Sequence, residues 1–142
     1  MTRVVALLVP FLLAACATAP RSEARRCEAA ADRVDALLRA GLEVYVEGLR
    51  RFAAARDPEL STAAAEERVK ARSDAWARAH REALVRDCRD WPEERYRCVM
   101  AAPDAAALNG CGLEDVVRGY TDEVVSDFAT RPFERPGPER DR

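Results

Sequence analysis

The sequence has 142 residues, which is enough for one modest domain. It carries 23 lysines and arginines against 25 aspartates and glutamates, so its formal net charge is −2. A protein that binds nucleic acid needs a clear surplus of basic residues, and this balance therefore argues against a nucleic-acid partner. Alanine, arginine and glutamate are abundant, and because all three favour helices we expect a helical protein.

The N-terminal segment has the pattern of an export signal. Arg3 supplies one positive charge, and residues 4–15 are apolar apart from one proline. This apolar run of about 12 residues is too short to span a bilayer comfortably as a permanent helix. We therefore interpret residues 1–15 as a signal peptide.

The segment ends in Leu13, Ala14, Ala15 and Cys16. This sequence resembles the bacterial lipobox, in which an aliphatic residue and two small residues precede a cysteine. The resemblance implies that the chain is a bacterial lipoprotein, cut before its first cysteine, which then carries lipid and attaches the protein to a membrane. The alternatives are an ordinary secretory peptide with an incidental cysteine, and an uncleaved anchor.

The residues after Cys16 bear on the location of the protein. In lipoproteins of this type an aspartate at the next position favours retention in the inner membrane, and this chain has Ala17 there. The resemblance thus implies an outer-membrane lipoprotein that faces the periplasm, or a cell-membrane lipoprotein in a host without an outer membrane. We expect residues 16–22 to form a short lipidated tether, held by two or three acyl chains because a single chain binds only marginally.

Two long helical segments follow, over residues 23–56 and residues 59–89. Between them, Asp57 suits a helix N-cap and Pro58 suits the first helical position. Two long helices joined by so short a turn lie antiparallel, and the numbers of facing residues then add up to about 115. The sequence therefore predicts a long antiparallel helical hairpin.

Four cysteines remain after Cys16, and an even number in an exported domain predicts two disulfides. A zinc site is the alternative, but zinc ligands usually occur in closely spaced pairs, which this sequence lacks. The numbers of Cys27 and Cys88 add up to the value expected for facing residues, so we pair them at the open end of the hairpin. This leaves Cys98 to pair with Cys111.

The first helix is predicted to bury an apolar stripe with a seven-residue repeat. Gly41 and Gly48 lie in its inner row, and a glycine inside a helix costs about 1 kcal/mol relative to alanine. We therefore predict a packing notch at these glycines, with Trp76 packed in or near it. The stripe comprises Cys27, Val34, Gly41, Gly48 and Ala55, then Ala31, Leu38, Tyr45 and Phe52, and lastly Leu42 and Leu49.

The rest of the chain predicts a smaller C-terminal helical cluster. A short helix is expected over residues 92–101, and a further turn of helix is expected to close at Asn109-Gly110 in a left-handed cap. A last amphipathic helix follows Gly112 and completes an all-α helical domain over residues 23–130. Residues 131–142 are proline-rich and charged, and we expect a disordered tail.

The cysteine spacing carries a second resemblance. Cys88, Trp91, Cys98 and Cys111 resemble a cysteine–tryptophan motif found in small exported helical proteins of myxobacteria and their relatives, mostly of unknown function. The resemblance covers about 24 residues. It implies a helical unit stapled by disulfides, and it implies no activity.

The sequence lacks the motifs of several enzyme classes. It has no glycine-rich phosphate-binding loop, no His-Glu-x-x-His motif of zinc proteases and no Gly-x-Ser-x-Gly motif of serine hydrolases. No metal site or cofactor is predicted. We therefore expect a non-enzymatic envelope lipoprotein that acts as a structural or protein-interaction module, with an envelope protein as its partner. The alternative is a module that binds a small apolar ligand or lipid, and a third possibility is an envelope enzyme or inhibitor that uses His80, the single histidine.

Overall fold

The computed structural model describes residues 19–130 together with residues 132 and 133. Within this part the chain is all-α, as predicted, and contains no β-strand. The predicted signal peptide, the lipidation site Cys16 and most of the predicted tail lie outside the described residues. The helices are α1 (Ala19–Arg56), α2 (Ala63–Cys88), α3 (Glu93–Ala101), α4 (Ala107–Gly110), α5 (Glu114–Tyr120), a π-helical segment (Thr121–Val125) and α6 (Ser126–Thr130).

The predicted hairpin and both predicted disulfides are confirmed. Cys27 and Cys88 are bonded, with their Cα atoms 5.5 Å apart, and join the first part of α1 to the last residue of α2. Cys98 of α3 is bonded to Cys111, directly after α4. Trp91 packs against the cluster around the first disulfide, at the open end of the hairpin.

The first helix begins earlier than predicted. The helix already includes residues 19–22, which are the last four residues of the predicted tether over residues 16–22. Pro20 is the second helical residue, and the backbone N–H that proline lacks has no partner in the first turn of any helix. The proline is therefore compatible with a helix that starts here.

The second helix begins at Ala63, four residues later than predicted. Asp57 organises a turn instead of capping a helix. Its side-chain oxygen accepts a hydrogen bond from the backbone N–H of Glu59 at 3.0 Å, and its carbonyl accepts one from Leu60 at 3.0 Å. An Asp-Pro sequence is compatible with a turn of this kind as well as with the start of a helix, and in this protein it forms the turn.

The core occupies the side of α1 that faces α2 and the C-terminal helices. The predicted stripe is buried over its first half, including Val34 and Leu38, but Gly48, Phe52 and Ala55 are exposed. A straight helix drifts by about 20° per heptad relative to a seven-residue repeat, so the later members of the predicted rows turn away from the core.

The predicted left-handed cap lies two residues further on than expected. Gly112, not Gly110, has a positive φ of 77°. The backbone N–H of Leu113 donates to the carbonyl of Leu108 at 3.1 Å, and that of Gly112 donates to Asn109 at 3.1 Å. This is the hydrogen-bond pattern of a Schellman motif, and the buried side chains of Leu108 and Leu113 supply its usual apolar contact.

We expect Gly112→Ala to destabilise the protein by about 1–2 kcal/mol, because a Cβ atom is disfavoured in the left-handed region. Gly110→Ala is the matched control. It lies in α4 with open space around its Cα, and it should leave the free energy of unfolding unchanged or raise it slightly. Urea unfolding of both variants measures the difference, and equal stabilities would contradict the assignment of the cap.

The last helical stretch contains a π-helical turn. The backbone N–H of Ser126 donates to the carbonyl of Thr121, five residues earlier. In a regular α-helix, residues four apart drift by about 40° around the axis. The wider turn offsets this drift and keeps Tyr120, Val124 and Phe128 buried on one face.

Candidate functional site

The most prominent surface feature is an apolar face on the second half of α1. Val44 is 75% exposed, Phe52 51% and Tyr45 37%. Among the described residues these are three of the four large hydrophobic side chains with the greatest exposure, and they lie within nine positions of one another. Clustered exposed apolar side chains are typical of interaction sites, whereas isolated ones are common on any surface.

This face is the continuation of a face that the protein covers itself. Nearer the start of α1, the guanidinium of Arg33 donates to the carbonyl of Ala102 at 2.6 Å. A Cβ atom built on Gly41 would lie 3.4 Å from the Cβ of Ala105. The segment between α3 and α4 thus covers α1 as far as Gly41. We call the exposed side of α1 that begins at Gly41 the α1 face; among the described residues it consists of Gly41, Val44, Tyr45, Gly48, Phe52 and Ala55.

The predicted notch with Trp76 is wrong. The neighbour of Gly41 is Ala105, and no atom of another described element lies within 4 Å of a Cβ built on Gly48. Trp76 is buried elsewhere, edge-on to the ring of Tyr120 at 5.1 Å. The sequence predicts α2 opposite these glycines, whereas in the structure α1 turns that side toward the α3–α4 segment and then toward solvent.

Aromatic residues from the end of the chain border the α1 face. The ring of Phe128 lies edge-on to Tyr45 at 5.9 Å, and the ring of Phe133 is stacked near Phe52 at 6.0 Å. These contacts fix the orientation of Tyr45 and Phe52 while leaving part of each ring exposed. Rigid, partly exposed aromatic rings lose little side-chain entropy when they bind a partner.

His80 is held by its own helix. Its Nδ1 atom forms a hydrogen bond of 2.9 Å with the carbonyl of Trp76, and its ring is stacked on the indole at 4.2 Å. Within residues 19–130, no group of three or more histidine, cysteine, aspartate or glutamate side chains is placed to hold a metal ion. The geometry describes His80 as part of an aromatic cluster with Trp76 and Tyr120.

A buried polar pair lies beside this cluster. The hydroxyl groups of Ser73 and Tyr120 share a hydrogen bond of 2.8 Å, and both residues are buried. Burial raises the pKa of Tyr120 above its usual range, and the hydrogen bond with Ser73 opposes this effect in part. The folded protein therefore keeps the phenol protonated at a pH at which an unfolded chain would ionise.

Because the pKa of Tyr120 is raised, we expect the free energy of unfolding to depend on pH in the alkaline range. Above the usual tyrosine pKa of about 10, the unfolded chain releases the proton and the folded chain retains it. The free energy of unfolding should therefore fall with pH in this range, by up to about 1.4 kcal/mol per pH unit. Tyr120→Phe should remove this part of the slope in urea unfolding between pH 9 and 11. An unchanged slope would contradict the assignment; slopes rather than absolute stabilities are compared, because the variant also leaves Ser73 without its partner.

An open groove of about 480 Å³ lies between α1 and α2. Its apolar lining includes Leu42, Val46 and Val69, and charged side chains border it. Arg50 donates to both carboxylate oxygens of Glu66, at 2.8 and 3.2 Å, and so holds the pKa of Glu66 below its usual range. Neither Gly41 nor Gly48 lines the groove, so it is distinct from the α1 face.

Comparisons with protein-family models, with curated proteins and with solved structures found no match. In the part of the chain that the structure describes, no helix combines the length and the apolar character needed to cross a membrane.

The sequence located the disulfides correctly and missed the α1 face. The seven-residue repeat places Tyr45 and Phe52 in the predicted core stripe and does not include Val44. The sequence does contain a feature that indicates the α1 face. Residues 41–55 include apolar or small side chains both on the side of the helix that faces the core and outside it. An amphipathic helix with a single covered face would place charged residues there.

Proposed function

We propose that this protein is an envelope lipoprotein, anchored through lipid on Cys16, that binds another envelope protein through the α1 face and catalyses no reaction. The observation that carries the proposal is the exposure of Val44, Tyr45 and Phe52 on one helix of a rigid, disulfide-clamped hairpin. Tyrosine is enriched among the energetically dominant residues of protein interfaces, and phenylalanine is enriched in protein interfaces in general.

The lipid anchor and the location rest on the N-terminal sequence. Leu13-Ala14-Ala15-Cys16 resembles a lipobox, and Ala17 favours the outer membrane, facing the periplasm, or the cell membrane where no outer membrane exists. Two disulfides support an oxidising compartment, because cytosolic proteins rarely keep such bonds. Ala19, the first described residue of α1, lies three residues after Cys16, so the proposed anchor is close in sequence to the helix that carries the α1 face.

The length of α1 sets how far the α1 face lies from Ala19, the described residue nearest to the proposed anchor. Gly41 and Ala55 are 22 and 36 residues along α1 from Ala19, which corresponds to about 33 and 54 Å at 1.5 Å per residue. The lipid and the interaction face are therefore separated by more than the diameter of most small domains. This separation suits a protein that is fixed at one point and binds its partner at another.

The anchor is tested by metabolic labelling of intact cells with an alkyne analogue of palmitate. The natural chain should incorporate the label and fractionate with membranes, and Cys16→Ser should lose both properties. The natural chain found in the cytosol, unlabelled and with Cys27, Cys88, Cys98 and Cys111 as free thiols, would overturn the proposal.

The interaction face is tested by placing a photoactivated crosslinking amino acid at Val44 in the full chain, in cells. We expect one reproducible protein adduct in the envelope fraction, and we expect Phe52→Glu to reduce it by at least tenfold. The matched control places the crosslinker at Glu82, an exposed residue of α2 away from the α1 face. Equal adducts at both positions, or none at Val44, would count against the α1 face as the binding site.

The groove between α1 and α2 favours a second candidate function, binding of a small apolar ligand. Its volume of about 480 Å³ falls within the range of small-molecule sites, and Leu42, Val46 and Val69 give it an apolar lining. Titration with the fluorescent probe N-phenyl-1-naphthylamine should show saturable binding that Val46→Arg removes. Binding that does not saturate, or that survives this substitution, would exclude the groove as the site.

A further inference from the structure

Two ion pairs join α1 to α2 along the groove between these helices. Arg39 donates to a carboxylate oxygen of Asp74 at 2.5 Å, and Arg50 donates to one of Glu66 at 2.8 Å. Both arginines line the groove, and the apolar residues that α1 contributes to it lie between them in the chain. The groove therefore has an ion pair between its two walls at each end.

A third pair of opposite charges lies in the middle of the groove and is open. Glu43 lies four residues after Arg39 on α1, and Lys70 lies four residues before Asp74 on α2, so the two positions correspond in an antiparallel hairpin. Both side chains line the groove, yet neither has a hydrogen bond or an ion pair with any described residue. The two walls thus carry opposite charges here that do not meet.

The other charges that line the groove are already paired within the protein. Each arginine binds two carboxylates, and these contacts are Arg39 with Asp35 and Asp74, and Arg50 with Glu47 and Glu66. The pKa of Asp74 is lowered chiefly by its hydrogen bond with Arg39, and Lys70, one turn away on α2, contributes only as a charge that is not in contact. A bound molecule therefore meets one unpaired negative charge on α1 and one unpaired positive charge on α2.

These two charges determine which ligand suits the groove. A neutral apolar molecule would cover Glu43 and Lys70 in part without returning a contact to either, and covering an unpaired charge is unfavourable. An anionic ligand would attract Lys70 and repel Glu43, and a cationic ligand would do the reverse. A ligand that carries both charges on an apolar body is complementary to both walls.

The separation of the walls selects among such ligands. Packed helices lie about 8–10 Å apart from axis to axis. An amino acid, or the headgroup of a zwitterionic lipid, carries its two charges close together. An extended peptide spans about 3.3 Å per residue, so two or three residues separate the terminal charges by about 7–10 Å. A short peptide with free ends therefore matches the distance between the walls.

We infer that the groove binds a short apolar peptide with free ends, with its carboxylate at Lys70 and its ammonium group at Glu43. The apolar side chains of the peptide then lie against Leu42, Val46 and Val69. The inference rests on the second candidate function, since it names the ligand of the same groove.

The inference is tested by equilibrium dialysis of the full-length protein, held in lipid nanodiscs, against tritiated trileucine, with empty nanodiscs as the blank. We expect saturable binding that Val46→Arg removes. Acetylated trileucine lacks the ammonium group, and trileucine amide lacks the carboxylate. Each should compete about threefold more weakly than trileucine itself, because each loses one exposed ion pair.

Two variants assign each charge of the peptide to its wall. Glu43→Gln should abolish the effect of acetylation and keep the effect of amidation, and Lys70→Met should do the opposite. Because neither residue has a partner within the described part of the chain, both variants should unfold at the same temperature as the natural chain. Glu82→Gln, at an exposed position of α2 outside the groove, is the matched control and should leave both effects unchanged.

Equal competition by the free and the capped peptides would overturn the inference, as would trileucine binding that survives Val46→Arg. Variants at Glu43 and Lys70 that weaken all three peptides alike would also overturn it. If N-phenyl-1-naphthylamine binds the groove and trileucine does not, the peptide is excluded and the groove remains a site for apolar ligands. If neither probe binds, the inference and this candidate function of the groove are both overturned.

Discussion

Replacing Cys27 and Cys88 together with alanine should lower the free energy of unfolding by about 4 kcal/mol. The bond joins residues 61 apart, and on the chain-entropy model the stabilisation grows with the logarithm of the enclosed loop. Both cysteines are almost fully buried, so their loss also loosens the packing with Ala30 at the open end of the hairpin. For a domain of roughly 100 residues we expect Tm to fall by about 20 °C in a calorimetric scan.

The second disulfide supplies the matched control. Cys98 and Cys111 are only 13 residues apart, so their replacement should cost about 3 kcal/mol on the same model. The two double variants should therefore differ in Tm, with the loss of the first disulfide more damaging. A larger loss for the shorter loop would show that local packing around α3 and α4, rather than closure of the hairpin, dominates the stability.

Trp76→Ala should destabilise the protein by about 3–5 kcal/mol, the second large effect that we expect. Trp76 is 5% exposed and contacts the rings of both Tyr120 and His80. Its removal therefore leaves a cavity at the point where α2 meets the C-terminal helices. Chemical denaturation measures the loss, and near-UV circular dichroism should show a weaker aromatic signal in the folded variant.

Two further variants separate the contributions of this cluster. The indole N–H of Trp76 has no hydrogen-bond acceptor among the described residues, so Trp76→Phe loses packing but no hydrogen bond and should cost only about 1–2 kcal/mol. His80→Ala removes one stacked ring at the half-exposed edge and should cost less than Trp76→Ala. A Trp76→Phe variant as unstable as Trp76→Ala would indicate a polar role for the indole that this geometry does not contain.

The sequence predicted the disulfide pairing because chain geometry leaves little freedom. A short turn between two long helices fixes which residues face each other, and the cysteines near the ends of α1 and α2 then meet. The predicted pairing of Cys27 with Cys88 is correct even though α2 begins four residues later than predicted. Cys98 and Cys111 lie beyond Pro92, which precedes a new helix, and once Cys27 and Cys88 are paired they are left to pair with each other.

The α1 face could not be predicted from periodicity alone. A seven-residue repeat describes the first heptads of α1 well, but by Gly48 and Ala55 it has drifted by about 60–80° from the row that starts at Cys27. The sequence also does not show where the segment between α3 and α4 stops covering α1. That limit depends on the contact between Gly41 and Ala105, which lie far apart in the chain.

The Gly112 cap illustrates a competition between two local signals. Asn109-Gly110 and Gly112 both suit a left-handed residue, and the choice depends on which one lets Leu108 and Leu113 meet. Cys111 lies between the two candidates and is tied to Cys98. Its bond to α3 fixes the end of α4, and the cap follows at the next residue.

The two disulfides also determine how the molecule carries tension. A pull applied between the two ends of the chain passes from Cys27 directly to Cys88, and from Cys98 directly to Cys111, through covalent bonds. The residues between each pair lie outside this load path. The hairpin can therefore keep its fold while the segments before Cys27 and after Cys88 are stretched. Tension at these two residues would leave the turn between α1 and α2, at the other end of the hairpin, undisturbed.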